Sequence, residues 1–189
     1  MSSVPKVTLS GGLEICRVLN GMWQVSGAHG AVDKARAVEA VQDYVDAGLT
    51  TFDMADIYGP AEEIFGQFNT QLKSKSSESP VPALQGLTKY VPRPGPMERK
   101  VVEKALQRSM TRMQVDALDC VQFHWWDYGD KRYLEALGHL SDLQQEGIIL
   151  NVQDINTSIR LQAQLRTLIC CFITEAFSLR QLLGRLRPH

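Results

Sequence analysis

Asn20-Gly21-Met22-Trp23-Gln24-Val25-Ser26-Gly27 forms the first junction between a predicted core strand and the helix after it. In a dinucleotide-binding Rossmann sheet this junction reads Gly-x-Gly-x-x-Gly, because the glycines let the backbone approach a pyrophosphate at a helix N-terminus. Here it does not. The flanking pattern is still strand then helix, repeated. Arg17 to Gln24 is the first predicted strand. Asp33 caps a helix through Ala47, with Ala37, Val38, Val41 and Val45 on one face, and Gly48 stops it. Leu49 to Ala55 is a strand, and Pro60 opens a helix carrying Ile64, Phe65, Phe68 and Leu72. Ser74 to Pro82, rich in serine, is a loop. Leu84 to Tyr90 is a third strand. Met97 to Gln114 is a helix with Val101, Val102, Ala105, Leu106, Met110 and Met113 along its apolar side. Leu118 to Phe123 is a fourth strand. Asp130 caps a helix with Leu134, Leu137, Leu140 and Leu143 that ends at Gly147.

Strict alternation implies parallel strands joined by right-handed crossovers. With the Rossmann junction absent, the expectation is an α/β fold of the (β/α)8 TIM-barrel type. Val7 to Leu9 and Leu13 to Val18, around Ser10-Gly11-Gly12, precede it as a β-hairpin. A full barrel takes about 250 residues. The chain has 189, so the expectation is a truncated barrel of four to five βα units. Its strand edges would stay exposed for association.

Composition bounds the function classes. Hydrophobic residues make up 44%, charged residues 22%, and net charge is −1. Such a balance gives no bulk attraction to nucleic acid or to an anionic membrane. The longest apolar run, Leu168 to Ile173, is far too short to span a bilayer. Met1 to Gly12 lacks the apolar stretch of a secretory signal, so a cytoplasmic protein is expected. The cysteines, Cys16, Cys120, Cys170 and Cys171, form no Cys-x-x-Cys pair, so no metal site is expected.

Chemistry-bearing residues fall at the predicted strand ends, where a barrel carries its site. Asp53, in Thr51-Phe52-Asp53-Met54-Ala55, is a carboxylate in an apolar strand and needs a cation. Lys89 ends the next strand and is the expected partner. Tyr58 lies just past Asp53's strand. A neighbouring ammonium favours a phenolate, which lets a tyrosine act as a proton donor near neutral pH. His124 ends the fourth strand and could polarise a carbonyl. Each residue also has a structural reading: a rim ion pair, a packed loop tyrosine, a core histidine. Trp125 and Trp126 read as packing or as a substrate wall, and Asp56 as solvated or a turn residue.

Together these residues resemble the aldo-keto reductases. The family's Asp-x-Ala-x-x-Tyr motif is matched by Asp53-Met54-Ala55-Asp56-Ile57-Tyr58, its lysine by Lys89 and its histidine by His124. Gly21-Met22-Trp23-Gln24 is similar to the stretch lining the cofactor mouth, and the resemblance runs from about Leu13 to Gly147. It implies reduction of a small aldehyde or ketone by NADPH. Tyr58 would be the acid, Lys89 would tune it, Asp53 would hold Lys89, and His124 would orient the carbonyl. Met22, Trp23, Gln24 and Asp53 would contact the cofactor; Trp23, Tyr58, His124 and Trp125 would contact the substrate.

After Gly147 the family's Ser/Thr-Asn pair for the nicotinamide amide is missing from Ile148-Ile149-Leu150-Asn151-Val152-Gln153-Asp154-Ile155-Asn156-Thr157, although a fifth strand fits there. Residues 148–189 carry five Arg, no Lys and two acids, a net of +3, against −4 for residues 1–147. The expectation is a boundary at 147 and a divergent tail from another frame or exon. Ala176, Phe177, Leu179, Leu182, Leu183 and Leu186 would form a helix over exposed core. The alternative function is a catalytically inactive half-barrel acting by association, or having no function.

Overall fold

The computed structural model describes residues 4–154 except 10, 29, 76–79 and 128. The expected tail helix lies outside the described residues. The described residues form two sheets. The first is an antiparallel hairpin of β1 (Lys6–Thr8) and β2 (Glu14–Cys16), as expected. The second is a five-stranded parallel sheet of β3 (Asn20–Gly21), β4 (Thr51–Ala55), β5 (Gln85–Tyr90), β6 (Cys120–Phe123) and β7 (Val152–Asp154), in sequence order. Among the described residues four helices alternate with these strands: α1 (Lys34–Asp46), α2 (Ala61–Ser74), α3 (Arg99–Met113) and α4 (Tyr133–Gln145). The fifth strand fulfils the expectation for the stretch after Gly147. Sequential order among parallel neighbours is the order in which a TIM-type barrel is laid down.

Alternation along the strands sorts the core into two layers. Phe52, Met54, Tyr90, Val121 and Phe123 face the helices and pack with Val38, Ile64, Phe65, Leu106, Met110 and Leu140. Leu87 and Cys120 face the other way, against Ile15 of the hairpin. The hairpin therefore covers the N-terminal end of the sheet's inner face. Its turn comes so close to the start of β7 that a Cβ on Gly11 would lie 1.7 Å from Asn151 Oδ1.

Several local expectations are corrected. The first core strand is two residues long, because Trp23–Val25 closes into a single 3-10 turn. Asp33 does cap α1, accepting from the Arg36 amide at 3.2 Å. Asp130 does not cap α4. It binds the amide and guanidinium of Arg132, and the helix starts at Tyr133. Val101 and Leu134 are exposed, lying just outside the apolar stripes of their helices.

Candidate active site

Polar side chains gather where the parallel strands end. Asp53 points to the inner face of β4, and Lys89 to the inner face of β5, opposite Ala55. The long lysine side chain reaches back one pleat, placing Nζ 2.6 Å from each Asp53 oxygen and 3.3 Å from the Met54 carbonyl. Both side chains are nearly enclosed, at 15% and 10% exposure. The same ammonium stands 5.3 Å from the centre of the Tyr58 ring. The expected pair thus forms, and Tyr58 joins it.

Tyr58 is carried by the turn between β4 and α2. Its amide donates to the Ala55 carbonyl at 3.0 Å. Gly59 lets this turn press on the loop after β3: it has φ +51°, and a Cβ there would sit 2.4 Å from the Ser26 carbonyl. That contact brings the edge of Trp23 onto Tyr58, with ring centres 4.9 Å apart. Met22 is buried in the helix-side core, and its amide donates to the Asp53 carbonyl at 2.9 Å. Gln24 is exposed beside Trp23.

His124 follows β6 and is half-buried. Desolvation, then the Lys89 charge, holds its pKa below the usual histidine value. The ring is therefore a neutral imidazole at pH 7, and can donate one N–H. Trp126 packs on it with ring centres 4.6 Å apart, and is 65% exposed. Trp125 sits elsewhere. It is 4% exposed, stacks on Phe123, and donates from Nε1 to the carbonyls of Asp127 and Asp130. Its expected place on a substrate wall is corrected to a place in the core. The alternation that turns His124 inward turns Trp125 outward.

Sequence reasoning passed over one feature and caught only part of another. Gln122 shares its strand face with His124 and pairs in register with Lys89. Its Oε1 is buried without a hydrogen-bond partner among the described residues. A polar residue at an inward position of an apolar strand was the available signal. Of the two readings of Asp56, the turn residue holds and the solvated one does not: its side chain is 4% exposed. Burial pushes its carboxyl up to about 6, assisted by the nearby Glu62 charge and opposed by the Val91 amide and by Arg108 and Arg112. Cys120, also inward, is driven up to about 12 by burial, which makes it an inert thiol. Among the described residues no cluster of side chains could hold a metal ion.

A parallel strand–helix repeat with its polar cluster at the C-terminal strand ends defines a protein of the TIM-barrel type. The sequence pattern of the Aldo/keto reductase family matches residues 17–169, more than half of the chain and past the expected boundary at Gly147. The chain belongs to the aldo/keto reductase family. It is 29% identical over 121 residues to the aldo-keto reductase YhdN of Bacillus subtilis, covering 61% of this chain and 36% of that protein. It is 31% identical over 115 residues to a rice (Oryza sativa subsp. japonica) protein described as a "Probable voltage-gated potassium channel subunit beta", covering 60% of this chain and 34% of that one. The chain thus spans about a third of the length of these relatives. An aldo-keto reductase structure from Pseudomonas aeruginosa superposes with a TM-score of 0.67 at 19% identity, covering 86% of this chain and 66% of that one. At that identity the likeness establishes the fold.

Proposed function

We propose that the protein reduces a small aldehyde or ketone with NADPH, with Tyr58 as the proton donor. The observation that carries this reading is the Lys89 ammonium, gripped by both oxygens of Asp53 and 5.3 Å from the centre of the Tyr58 ring. NADPH, when bound, supplies the hydride. The side chains supply the rest. Tyr58 gives its hydroxyl proton to the carbonyl oxygen as negative charge develops there. Lys89 favours the phenolate left behind, since an adjacent cation stabilises the charged form. Asp53 keeps Lys89 in place and compensates its burial. His124, neutral at pH 7, donates an N–H to the same oxygen and holds the carbonyl in line.

The described residues suit the nicotinamide end of the cofactor. The buried, unpartnered Oε1 of Gln122 offers an acceptor for an amide N–H beside Lys89. The 3-10 turn of Trp23 and Gln24, reached through Met22, offers a wall. Trp23, Trp126 and His124 would enclose the substrate. Cys16 and Cys120 are free, buried thiols, which suits a reducing cytoplasmic setting. No helix among the described residues is long and apolar enough to cross a membrane.

Titrating the purified chain with NADPH by fluorescence, then following NADPH oxidation with small aldehydes, tests the proposal. Binding and turnover are expected. Tyr58→Phe should keep binding and lose about 10²-fold or more in kcat. Failure to bind NADPH, with Tyr58 and Lys89 intact, would sink it. A second reading is a non-catalytic protein acting by association. It is favoured by the open position of β3 and β7 at the sheet's edges among the described residues, and by the channel-subunit description of the rice relative. Size-exclusion chromatography separates the two: a monomer that turns over aldehyde excludes the second.

A further inference from the structure

We propose that Asp56 is a positioning residue that fixes the turn of Tyr58 to the strand of Lys89. The inference rests on the reading of Tyr58 as proton donor. Tyr58 and Lys89 come from different segments, and their relative position decides whether the ammonium can act on the phenol. Asp56 joins these segments two ways and ties the turn to α3 in a third. Its amide donates to the Lys89 carbonyl at 2.9 Å. Its carboxylate accepts from the Val91 amide at 3.2 Å, two residues beyond Lys89. Its carbonyl accepts from Arg112 of α3 at 3.1 Å. The charged groups facing it are Glu62 from α2 and Arg108 and Arg112 from α3, with the Tyr90 phenol from β5.

The surroundings make this joint rigid. Arg112 also meets Glu62 at 3.3 Å, and Glu62, 1% exposed, accepts from the Thr88 hydroxyl at 2.7 Å. Arg108 approaches the other Asp56 oxygen at 3.5 Å. Val91 is buried, so its amide has no ready replacement partner if Asp56 is shortened. Desolvation works against a charged carboxyl here, so a carboxylate at this place is not what stability alone selects.

Two variants of the full chain test this: Asp56→Ala, which removes the acceptor, and Asp56→Asn, whose amide oxygen can still accept from Val91. Hydrogen exchange of the 56–60 segment and steady-state kinetics are the readouts. Asp56→Ala should exchange about tenfold faster in that segment, the loss of one good hydrogen bond. It should also lower kcat about tenfold with the aldehyde KM unchanged. Asp56→Asn should restore both. If Asp56→Ala does not fold, Asp56→Ser, too short to bridge to Val91, is read in its place with the same outcomes. Wild-type exchange in the shortened variant, or an Asn variant that behaves like it, overturns the inference. If the wild-type protein turns over no aldehyde, the reductase reading fails. Exchange alone then decides whether Asp56 fixes the turn.

Discussion

The two ends of the sheet's inner face use the same strands and the same alternation for opposite purposes. At the N-terminal end Leu87 and Cys120 meet Ile15, and the β1–β2 hairpin closes over them. Two residues further along each strand come Lys89 and Gln122, with Asp53 and Tyr58 beside them. Each end also carries a lysine–carboxylate pair of similar length. Lys6 and Glu14 meet at 2.8 Å across the hairpin, 47% and 58% exposed. Lys89 and Asp53 meet at 2.6 Å, 15% and 10% exposed. Solvent, rather than distance, sets what such a pair does. In water it is decoration. Enclosed, it fixes two side chains and leaves each costly to remove.

The largest effect should follow Lys89→Met. It strands the Asp53 carboxylate in an enclosed site, at a cost of about 3–5 kcal/mol. Urea unfolding reads that loss, and NADPH-dependent turnover should vanish with it. The companion break is at the other end. Ile15, 1% exposed, fills the space between hairpin and sheet. Ile15→Ala should cost on the order of 3 kcal/mol through lost burial and a cavity. Turnover per folded molecule should stay near wild type. If Ile15→Ala lowers kcat as far as Lys89→Met does, the two ends are not functionally separate.

A smaller, pH-dependent effect belongs to Asp56. Its carboxyl moves from 3.8 to about 6 on burial, so the fold prefers the neutral form. That preference stabilises the protein fully below about pH 4 and is lost as pH rises through about 6, a swing on the order of 3 kcal/mol. Asp56→Asn has no proton to lose. Its stability advantage over wild type should therefore grow between pH 4 and pH 8 in urea melts. A difference that stays flat across this range would put the carboxyl in water.

What could be read from sequence was local or periodic. Asp53 and Lys89 were legible because an ionisable residue in an apolar strand demands a partner, and parallel neighbours supply one. The Asp33 cap was legible because its partner, the Arg36 amide, is three residues away. Trp125 was misplaced although the signal was present: period-two alternation from His124 sends it outward. Asp56 was legible as a turn residue but not as a buried one. Its burial comes from Val91 and from Arg108 and Arg112, 35 to 56 residues distant. Nothing in Ala55-Asp56-Ile57 announces them. The brevity of β3 was hidden for a similar reason, since the 3-10 turn at Trp23 faces the tyrosine turn of another unit.

The smallest effect is expected at the hairpin's own ion pair, and its smallness is the point. Lys6 and Glu14 sit on the exposed side of an antiparallel pair, where Lys6 is raised above its usual pKa chiefly by its hydrogen bond to Glu14. Water and salt compete for both groups, and holding two long side chains together costs rotamer entropy. The hairpin instead rests on Val7, Leu9 and Leu13 packing around Ile15 and Leu87. Lys6→Ala should leave the urea midpoint and the turnover where they are, at low salt as at high. A measurable loss at low salt that disappears at high salt would show the pair contributing to the seal. The contrast between the two ends would then be one of degree, with electrostatics at work in both.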